Sequence, residues 1–202
     1  MNTYFISGIG TDVGKTLVSA ILVEKLGADY WKPVQSGSAT DSDTLTVKGL
    51  VSNSQSRFHP ESISLLAPVS PHEAADLEGV KIKLTDLVKP SVHNTLVIEG
   101  AGGLMVPLNR ELLMVDLISY FNARLILVCR NYLGSINHTL LSLELVKQRQ
   151  IPLAGIIFSG TRNKASEEII STFSDVPVLG FIPQLADINK ESIKQSVDLI
   201  TF

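Results

Sequence analysis

Short apolar runs alternate with stretches of helical spacing along most of the chain. The apolar runs predict six buried strands: Tyr4–Ile6, Asp29–Lys32, Thr95–Ile98, Leu125–Cys129, Leu153–Phe158 and one within Val176–Ile182. The helical spacing predicts helices at Thr16–Leu26, Leu113–Phe121, Ile136–Gln148, Lys164–Phe173 and Lys190–Ile200. Near-continuous apolar strands separated by helices are typical of a parallel sheet covered on both faces. The sequence therefore predicts an α/β fold with a mostly parallel central sheet and helices on both faces.

The pattern is irregular between Val34 and Leu84, where Ser, Asp, Pro and His are frequent. A long irregular stretch inside a compact domain is usually functional or mobile. The chain shows no internal repeat, low-complexity tract or linker, so we expect a single domain over residues 1–202.

Composition narrows the range of partners and compartments. A 45% apolar and 18% charged chain with net charge −3 has the balance of a globular protein. It gives no reason to expect nucleic acid or an anionic membrane as a partner. No apolar run reaches the roughly 18 residues of a membrane span, and the start of the chain leaves no room for a signal peptide. With Cys129 as the only cysteine, no internal disulfide is possible, and we expect a cytoplasmic protein.

A glycine-rich segment follows the first predicted strand and opens the first predicted helix. It reads Gly8-Ile-Gly-Thr-Asp-Val-Gly-Lys-Thr16. In such a loop, backbone N–H groups and the helix N-terminus bind phosphate oxygens. Lys15 would reach the β- and γ-phosphates, and the Thr16 hydroxyl would bind Mg²⁺. Five residues rather than four separate Gly8 from Gly14, but the strand–loop–helix context favours a nucleoside triphosphate site.

Polar residues follow two other predicted strands. Glu99 comes directly after Thr95–Ile98 and precedes Gly100-Ala-Gly-Gly103. In an open parallel sheet, ligands collect at the carboxyl ends of strands, where an acid can hold Mg²⁺. Lys32 ends the second strand and could stabilise charge on a transferred phosphoryl group.

Asp41 and Asp43 lie in Thr40-Asp-Ser-Asp-Thr44, and spacing leaves two roles open for them. Either aspartate could be a second carboxylate ligand for the metal. Either could equally cap a helix, since Asp and Ser are strong N-caps. No His, Cys or acid cluster has the spacing of a zinc site, and no nucleophile elbow is present.

Taken together, these motifs resemble the dethiobiotin synthetases of biotin biosynthesis. The matching segments keep their order along nearly the whole chain: Gly10–Thr16, Lys32–Gly37, Ser42–Asp43, Ser70–His72, Val97–Gly103, Leu133–His138, Leu153–Gly155 and Gly180–Pro183. Each segment alone is weak evidence for the family, but six or more matching segments in the same order are specific evidence for it.

The resemblance implies a reaction between 7,8-diaminopelargonic acid, CO₂ and ATP with Mg²⁺. One amine captures CO₂ as a carbamate, whose oxygen attacks the γ-phosphate to give a carbamic–phosphoric anhydride. The second amine then closes the ureido ring and expels phosphate. This chemistry needs positioning and charge stabilisation more than a protein nucleophile.

The resemblance also implies roles for individual residues. Lys15 and Lys32 would flank the migrating phosphoryl group, and Asp12 would lie near the substrate amines. Metal ligands would be Thr16, Asp43 and Glu99. Substrate contacts would be Thr11, Ser36, Gly102, Gly134, Ser135, Ile136 and Asn137. Nucleotide contacts would be Asp12, Val13, Gly14, Lys15, Thr16, Leu17, Asp43, Glu99, Gly100, Ala101, Gly102, Ser159, Gly160 and Pro183.

Members of this family are usually homodimers whose substrate spans the subunit interface. The resemblance therefore implies that the loop Asn131–Asn137 grips the substrate carboxylate from the partner subunit, where helix N–H groups suit an anion. Many members carry Asn-Asp after the strand Leu153–Phe158 to read the base. Ser159-Gly160 stands there instead, which predicts weak base selectivity.

Two other activities fit the phosphate loop. One is an ATPase switch of the partitioning or cell-division type, whose loop carries an additional lysine where this chain has Gly10. The C-terminus also lacks an amphipathic membrane helix rich in Lys and Arg. The other is an amidating ligase of the same superfamily, which normally carries a glutaminase domain that this chain has no room for.

Overall fold

The computed structural model describes residues 2–37 and 42–202. The strands are β1 (Thr3–Gly8), β2 (Asp29–Trp31), β3 (Val34–Ser36), β4 (Phe58–His59), β5 (Ile63–Leu65), β6 (Leu96–Gly103), β7 (Arg124–Arg130), β8 (Leu153–Gly160) and β9 (Val178–Pro183). The α-helices are α1 (Lys15–Leu26), α2 (Asp43–Leu50), α3 (Pro71–Leu77), α4 (Met114–Tyr120), α5 (Ser135–Gln148), α6 (Lys164–Ser174) and α7 (Lys190–Ser196).

The described residues form one seven-stranded sheet in the order β4-β2-β6-β1-β7-β8-β9. Every pair of named strands in it runs parallel. A separate pair, β3 and β5, is also parallel. The predicted α/β fold is confirmed. Because β1 lies between β6 and β7, the segment after β1 emerges at the middle of the sheet, next to the carboxyl ends of its neighbours.

Two apolar cores cover the two faces of this sheet. Side chains of α1, α2 and α7, such as Ile21, Val47 and Ile193, pack with Val97 on one face. Side chains of α4, α5 and α6, such as Ile118, Leu143 and Ile170, pack on the other face. The five inner strands are mostly buried, as their continuous apolar runs predicted. Strand β9, the sixth predicted buried strand, lies at an edge of the sheet and is partly exposed.

Strand β6 is longer than predicted, and Glu99 lies inside it rather than after it. The glycines that follow Glu99 continue the pairing with β1, up to Gly103 opposite Gly8. A Cβ atom on Gly103 would lie 3.2 Å from the Gly8 carbonyl oxygen. The absence of a side chain at Gly103 thus permits the close approach of the two strand ends. Because glycine has a low strand propensity, the sequence did not predict that β6 continues through these residues.

The stretch from Val34 to Leu84 contains more regular structure than its pattern predicted. It holds β3, α2, β4, β5 and α3. The strands are two or three residues long, too short for a visible alternation. Helix α2 buries only Thr44 and Val47, so its apolar stripe is weak. In the described part of the chain, no helix is both long and apolar enough to cross a membrane.

Candidate active site

The phosphate loop joins β1 to α1 by a tight turn. Gly14, the residue before the helix, has a φ of 95°, and Asp12 has a φ of 55°. A Cβ atom on Gly8 would lie 2.8 Å from the Gly10 carbonyl oxygen and would also clash with the Val13 side chain, so only glycine fits there without displacing the loop. Within the described residues, no side chain caps the N-terminus of α1. Its N–H groups are therefore available to an anion.

Side chains from neighbouring strands fix the path of this loop. The Arg130 guanidinium donates to the Asp12 carbonyl at 2.8 Å, and the Ser159 hydroxyl donates to the Val13 carbonyl at 2.6 Å. Lys15 Nζ donates to the Gly10 carbonyl at 3.2 Å. Ser159 is buried, and its hydroxyl proton is used in the hydrogen bond to the loop. The structure therefore shows that Ser159 helps to hold the loop in place, and its predicted role toward the base stays a prediction.

Four polar side chains from four different segments converge beside the loop. Thr16 Oγ1 lies 2.8 Å from Asp43 Oδ1 and 2.9 Å from Glu99 Oε1. Lys32 Nζ lies 2.6 Å from Asp43 Oδ2 and 3.5 Å from Glu99 Oε1. The structure thus brings together the predicted metal ligands and one of the two predicted phosphate-binding lysines.

The position of Asp43 separates the two roles that the sequence left open for it. Ser42, not Asp43, is the N-cap of α2, and its hydroxyl accepts from Leu45 N at 3.3 Å. Asp43 is the first helical residue, and its carboxylate is directed to Thr16 and Lys32. The alternative metal ligand, Asp41, lies outside the described residues.

Their surroundings shift the pKa values of Lys15 and Lys32 in opposite directions. Burial disfavours the charge on Lys32, but Glu99 and Asp43 outweigh burial and raise the pKa of its ammonium group. Burial also acts on Asp43, but Lys32 above all lowers the pKa of this carboxyl group. For Lys15, burial is the largest effect, and it lowers the pKa with help from the positive Lys32. Lys32 and Asp43 therefore form an ion pair over the whole neutral range.

Sequence reasoning missed two residues that hold the two acidic residues in place, one through a side chain and one through the backbone. The Tyr30 hydroxyl donates to Glu99 Oε2 at 3.0 Å in a fully buried contact. Burial and the neighbouring Glu99 raise the pKa of this phenol well above its usual value, so it remains a donor. Gln35 Oε1 accepts from Asp43 N at 3.1 Å. Strand alternation could have found Tyr30, because it shares a face of β2 with the position of Lys32.

A cleft of about 720 Å³ opens over these groups. The predicted residues that line it are Thr11, Asp12, Gly14, Lys15, Thr16, Leu17, Lys32, Ser36, Asp43, Glu99, Ala101 and Gly102. The Ser36 hydroxyl is buried and has no hydrogen-bond partner among the residues that the structure describes. A buried hydroxyl of this kind at the wall of a cleft is suited to bind a ligand.

The remaining predicted site residues lie elsewhere. Val13 and Gly100 are buried and do not line this cleft. Gly160 and Pro183 are paired at the carboxyl ends of β8 and β9, with Ser159 next to them. Gly134, Ser135, Ile136 and Asn137 form the start of α5 and do not line the cleft of their own chain. Their roles toward the base and the substrate remain predictions.

The oxygen atoms around Thr16 suit a magnesium ion chemically. Asp43 Oδ1 and Glu99 Oε1 both lie within 2.9 Å of the Thr16 hydroxyl oxygen, so three oxygen atoms are grouped together. Hard oxygen donors of this kind are the ligands that Mg²⁺ prefers, and it often takes only one or two carboxylates together with phosphates. Across residues 2–37 and 42–202, no group of three or more His, Cys, Asp or Glu side chains forms a metal site. The donor set thus favours a metal bound jointly with phosphate.

Comparison with known proteins shows relatives over nearly the full length. A sequence profile described as an AAA domain matches residues 2–192. A protein of Christiangramia forsetii is 52% identical over 90% of this chain and 87% of its own length. One from Cytophaga hutchinsonii is 48% identical over 96% of this chain and 94% of its own length. Both relatives carry the name ATP-dependent dethiobiotin synthetase BioD.

Solved structures with the same fold are more distant in sequence. A ParA family ATPase from Chlorobium tepidum is 14% identical, with a TM-score of 0.59 over 97% of this chain and 88% of its own. The septum site-determining protein MinD of Pyrococcus horikoshii, complexed with Mg-ADP, is 17% identical, with a TM-score of 0.57 over 99% of this chain and 86% of its own. At these identities the likeness establishes the P-loop ATPase fold alone.

Proposed function

This chain belongs to the ATP-dependent dethiobiotin synthetase family, and from that premise we propose that it closes the ureido ring of dethiobiotin from 7,8-diaminopelargonic acid and CO₂. ATP is the co-substrate, and ADP and phosphate are the products. The enzyme would thus be a cyclo-ligase that forms carbon–nitrogen bonds. The observation that carries the proposal is the convergence of Thr16, Lys32, Asp43 and Glu99 beside the phosphate loop.

In the first step of the proposed mechanism, one substrate amine adds to CO₂ and loses a proton, which gives a carbamate. Thr11 and Ser36, which line the cleft, would hydrogen-bond the carbamate and the substrate. Asp12 lines the same cleft and would attract the ammonium groups of the diamine. Holding the two reactants in one cleft replaces a collision in solution by a positioned encounter.

In the second step a carbamate oxygen bonds to the γ-phosphorus while the bond to the β,γ-bridging oxygen breaks and ADP leaves. Lys15, at the loop, and Lys32, at the end of β2, would stabilise the negative charge of the migrating group. The second amine then attacks the carbamoyl carbon and gives up a proton to solvent, and phosphate leaves as the ring closes. The carbonyl becomes a good electrophile only because its oxygen is phosphorylated.

Mg²⁺ would be held by Thr16, Asp43 and Glu99, and it would supply charge neutralisation on the β- and γ-phosphate oxygens. Lys32 then has two functions in the proposal. Its ammonium neutralises the two acids, and from the wall of the cleft it would contact the migrating phosphoryl group.

We further propose a homodimer in which the start of α5 completes the site of the partner subunit. Residues 134–137 do not line the cleft of their own chain, which supports a role across an interface. Gly134 has a φ of 101°, and no side chain caps α5 in the described residues. The free N–H groups at this helix start suit a substrate carboxylate.

An ATPase switch of the partitioning or cell-division type is the main alternative. The structural likeness to such ATPases concerns the fold, which many unrelated functions share. Gly10 stands where those proteins carry their additional lysine, and its carbonyl instead accepts a hydrogen bond from Lys15. The sequence relatives and the cleft next to Lys32 both favour the synthetase.

The decisive experiment mixes the protein with diaminopelargonic acid, bicarbonate, Mg²⁺ and ATP. We expect dethiobiotin in the mass spectrum and phosphate release that depends on the diamine. ATP hydrolysis at the same rate without the diamine would refute the synthetase and favour the switch.

A further inference from the structure

We propose that Tyr30 is a positioning residue that holds the Glu99 carboxylate in the orientation that the metal site and Lys32 require. The inference rests on the proposed metal site at Thr16, Asp43 and Glu99, and it adds a residue to that site which does not line the cleft.

The register of the sheet places Tyr30 within reach of Glu99. In the pairing of β2 with β6, Tyr30 lies opposite Val97. Val97 and Glu99 face the same side of β6 because side chains alternate along a strand. The step from one to the other is about 6.6 Å, which is close to the length of a tyrosine side chain. The phenol can therefore span this step, and its hydroxyl reaches the Glu99 carboxylate.

The two oxygens of Glu99 have separate partners. Oε2 accepts a hydrogen bond from the Tyr30 hydroxyl at 3.0 Å, while Oε1 lies 2.9 Å from Thr16 Oγ1 and 3.5 Å from Lys32 Nζ. The last torsion of a glutamate side chain has a broad energy minimum and does not by itself fix the carboxylate plane. The hydrogen bond to Oε2 supplies the missing constraint and leaves Oε1 directed to the site.

The ring of Tyr30 is itself held rigidly. It is fully buried and lies 6.3 Å from the ring of Phe58, centroid to centroid. It belongs to the core on the α1 side of the sheet, together with Val47 of α2. Residues that do not touch a metal commonly orient its ligands through hydrogen bonds, and a donor held rigidly in the core is suited to this role.

The test replaces the hydroxyl alone, with Tyr30→Phe, and uses Mn²⁺ as the probe. Loss of the electron paramagnetic resonance signal of free Mn²⁺ reports its binding to the protein–ADP complex. We expect about tenfold weaker Mn²⁺ binding and a similar loss of kcat, with ADP binding in EDTA unchanged. Tyr4→Phe is the matched control, since Tyr4 is a buried tyrosine of the same core that packs on Phe202. It should bind Mn²⁺ as the wild type does.

A double-mutant cycle with Glu99→Gln tests whether Tyr30 acts through Glu99. We expect Tyr30→Phe to weaken Mn²⁺ binding much less when Glu99 is already replaced. A folded Tyr30→Phe variant that binds Mn²⁺ like the wild type, while Glu99→Gln does not, would overturn the inference and leave the metal site standing. Wild-type binding in Glu99→Gln would overturn both.

A second pair of variants covers the case in which Tyr30→Phe does not fold. p-Aminophenylalanine at position 30 restores a donor, whereas p-methylphenylalanine has similar volume and no donor. We expect the amino variant to bind Mn²⁺ more tightly than the methyl variant. Equal binding by the two would contradict the proposal.

Discussion

Lys32 Nζ and Asp43 Oδ2 lie 2.6 Å apart, although one residue follows an inner strand of the sheet and the other begins a helix. Lys32 is almost fully buried, and Asp43 and Glu99 are the acids that raise its pKa. A buried ion pair of this kind gives little net stability, because desolvation offsets most of the attraction. Its chemical use is to hold a charged lysine beside the proposed phosphoryl-transfer site.

Replacing Lys15 by alanine should abolish turnover. The variant loses the cation that would bind the β- and γ-phosphates, and we expect kcat to fall at least about 10²–10³-fold. The phosphate release assay measures kcat for the variant and the wild type. Lys25→Ala is the matched control, because Lys25 lies in the last turn of the same helix and bonds the Val197 carbonyl. Wild-type rates in Lys15→Ala would refute the assignment of the loop.

Replacing Lys32 by glutamine should slow the chemical step more than it weakens nucleotide binding. We expect kcat to fall about 10²–10³-fold, since a charge that stabilises the transferred group is lost. Affinity for a non-hydrolysable ATP analogue, measured by calorimetry with Mg²⁺, should change by less than about fivefold, or about 1 kcal/mol.

Lys89→Gln is the control for Lys32, because Lys89 bonds a backbone carbonyl of Phe121 and does not line the cleft. A Lys32→Gln variant that lost only nucleotide affinity, with kcat intact, would assign Lys32 to binding instead of chemistry.

Discrimination among nucleotide bases should be weak. Gly160 has no side chain, and the Ser159 hydroxyl already donates to the Val13 carbonyl at 2.6 Å. We expect kcat/KM for ATP, GTP and CTP, measured with saturating diamine, to agree within about a hundredfold. A larger preference for ATP, above about 2.7 kcal/mol, would show that another part of the chain reads the base.

Two inactive variants should restore activity to each other if the site spans two subunits. Lys15→Ala damages the phosphate loop, and Asn137→Asp places a negative charge at the proposed carboxylate site. A heterodimer of the two has one intact site. We expect about a quarter of the wild-type rate after the subunits are mixed and exchanged at random.

The control for this mixture is each variant exchanged with itself under the same conditions. A mixture no more active than the sum of the separate variants would show that each site is built from one chain.

Stability should depend on pH through Glu24, a carboxylate on α1. Burial opposes its charge, but bonds from Ser52 and Asn53 outweigh burial and lower the pKa of Glu24. A lowered pKa in the folded state stabilises the protein above the pKa of the unfolded state, and this stabilisation disappears as the pH falls through the folded pKa.

We therefore expect Glu24→Gln to cost roughly 1 kcal/mol at pH 7, with solvent screening limiting the loss. Urea unfolding at pH 7 and near pH 3 measures it, and the difference from the wild type should shrink at the lower pH. Glu168→Gln, at an exposed position of α6, is the control and should be near neutral. A loss of equal size at both pH values would contradict the role of the ionised carboxylate.

Much of the site could be predicted because its residue types follow strands in a recognisable order. The glycine spacing and the Gly-Lys-Thr sequence identified the loop, and the positions of Lys32 and Glu99 at the ends of the apolar runs predicted that they lie at one edge of a parallel sheet. Helix α1 ends at Leu26, as predicted, and the glycine that follows, Gly27, has a φ of 56°. These features are local, so a single sequence contains them.

Contacts between distant segments could not be predicted, because they depend on register and on side-chain directions. The sequence by itself determined the α/β fold, the phosphate loop and the identity of most groups around it. Only the tertiary structure decided that Asp43 bonds Lys32 while Ser42 caps α2, that Tyr30 reaches Glu99, and that Ser159 braces the loop. The order of the strands and the packing of α2 set these distances. Neither can be predicted from the spacing of apolar and polar residues along the sequence.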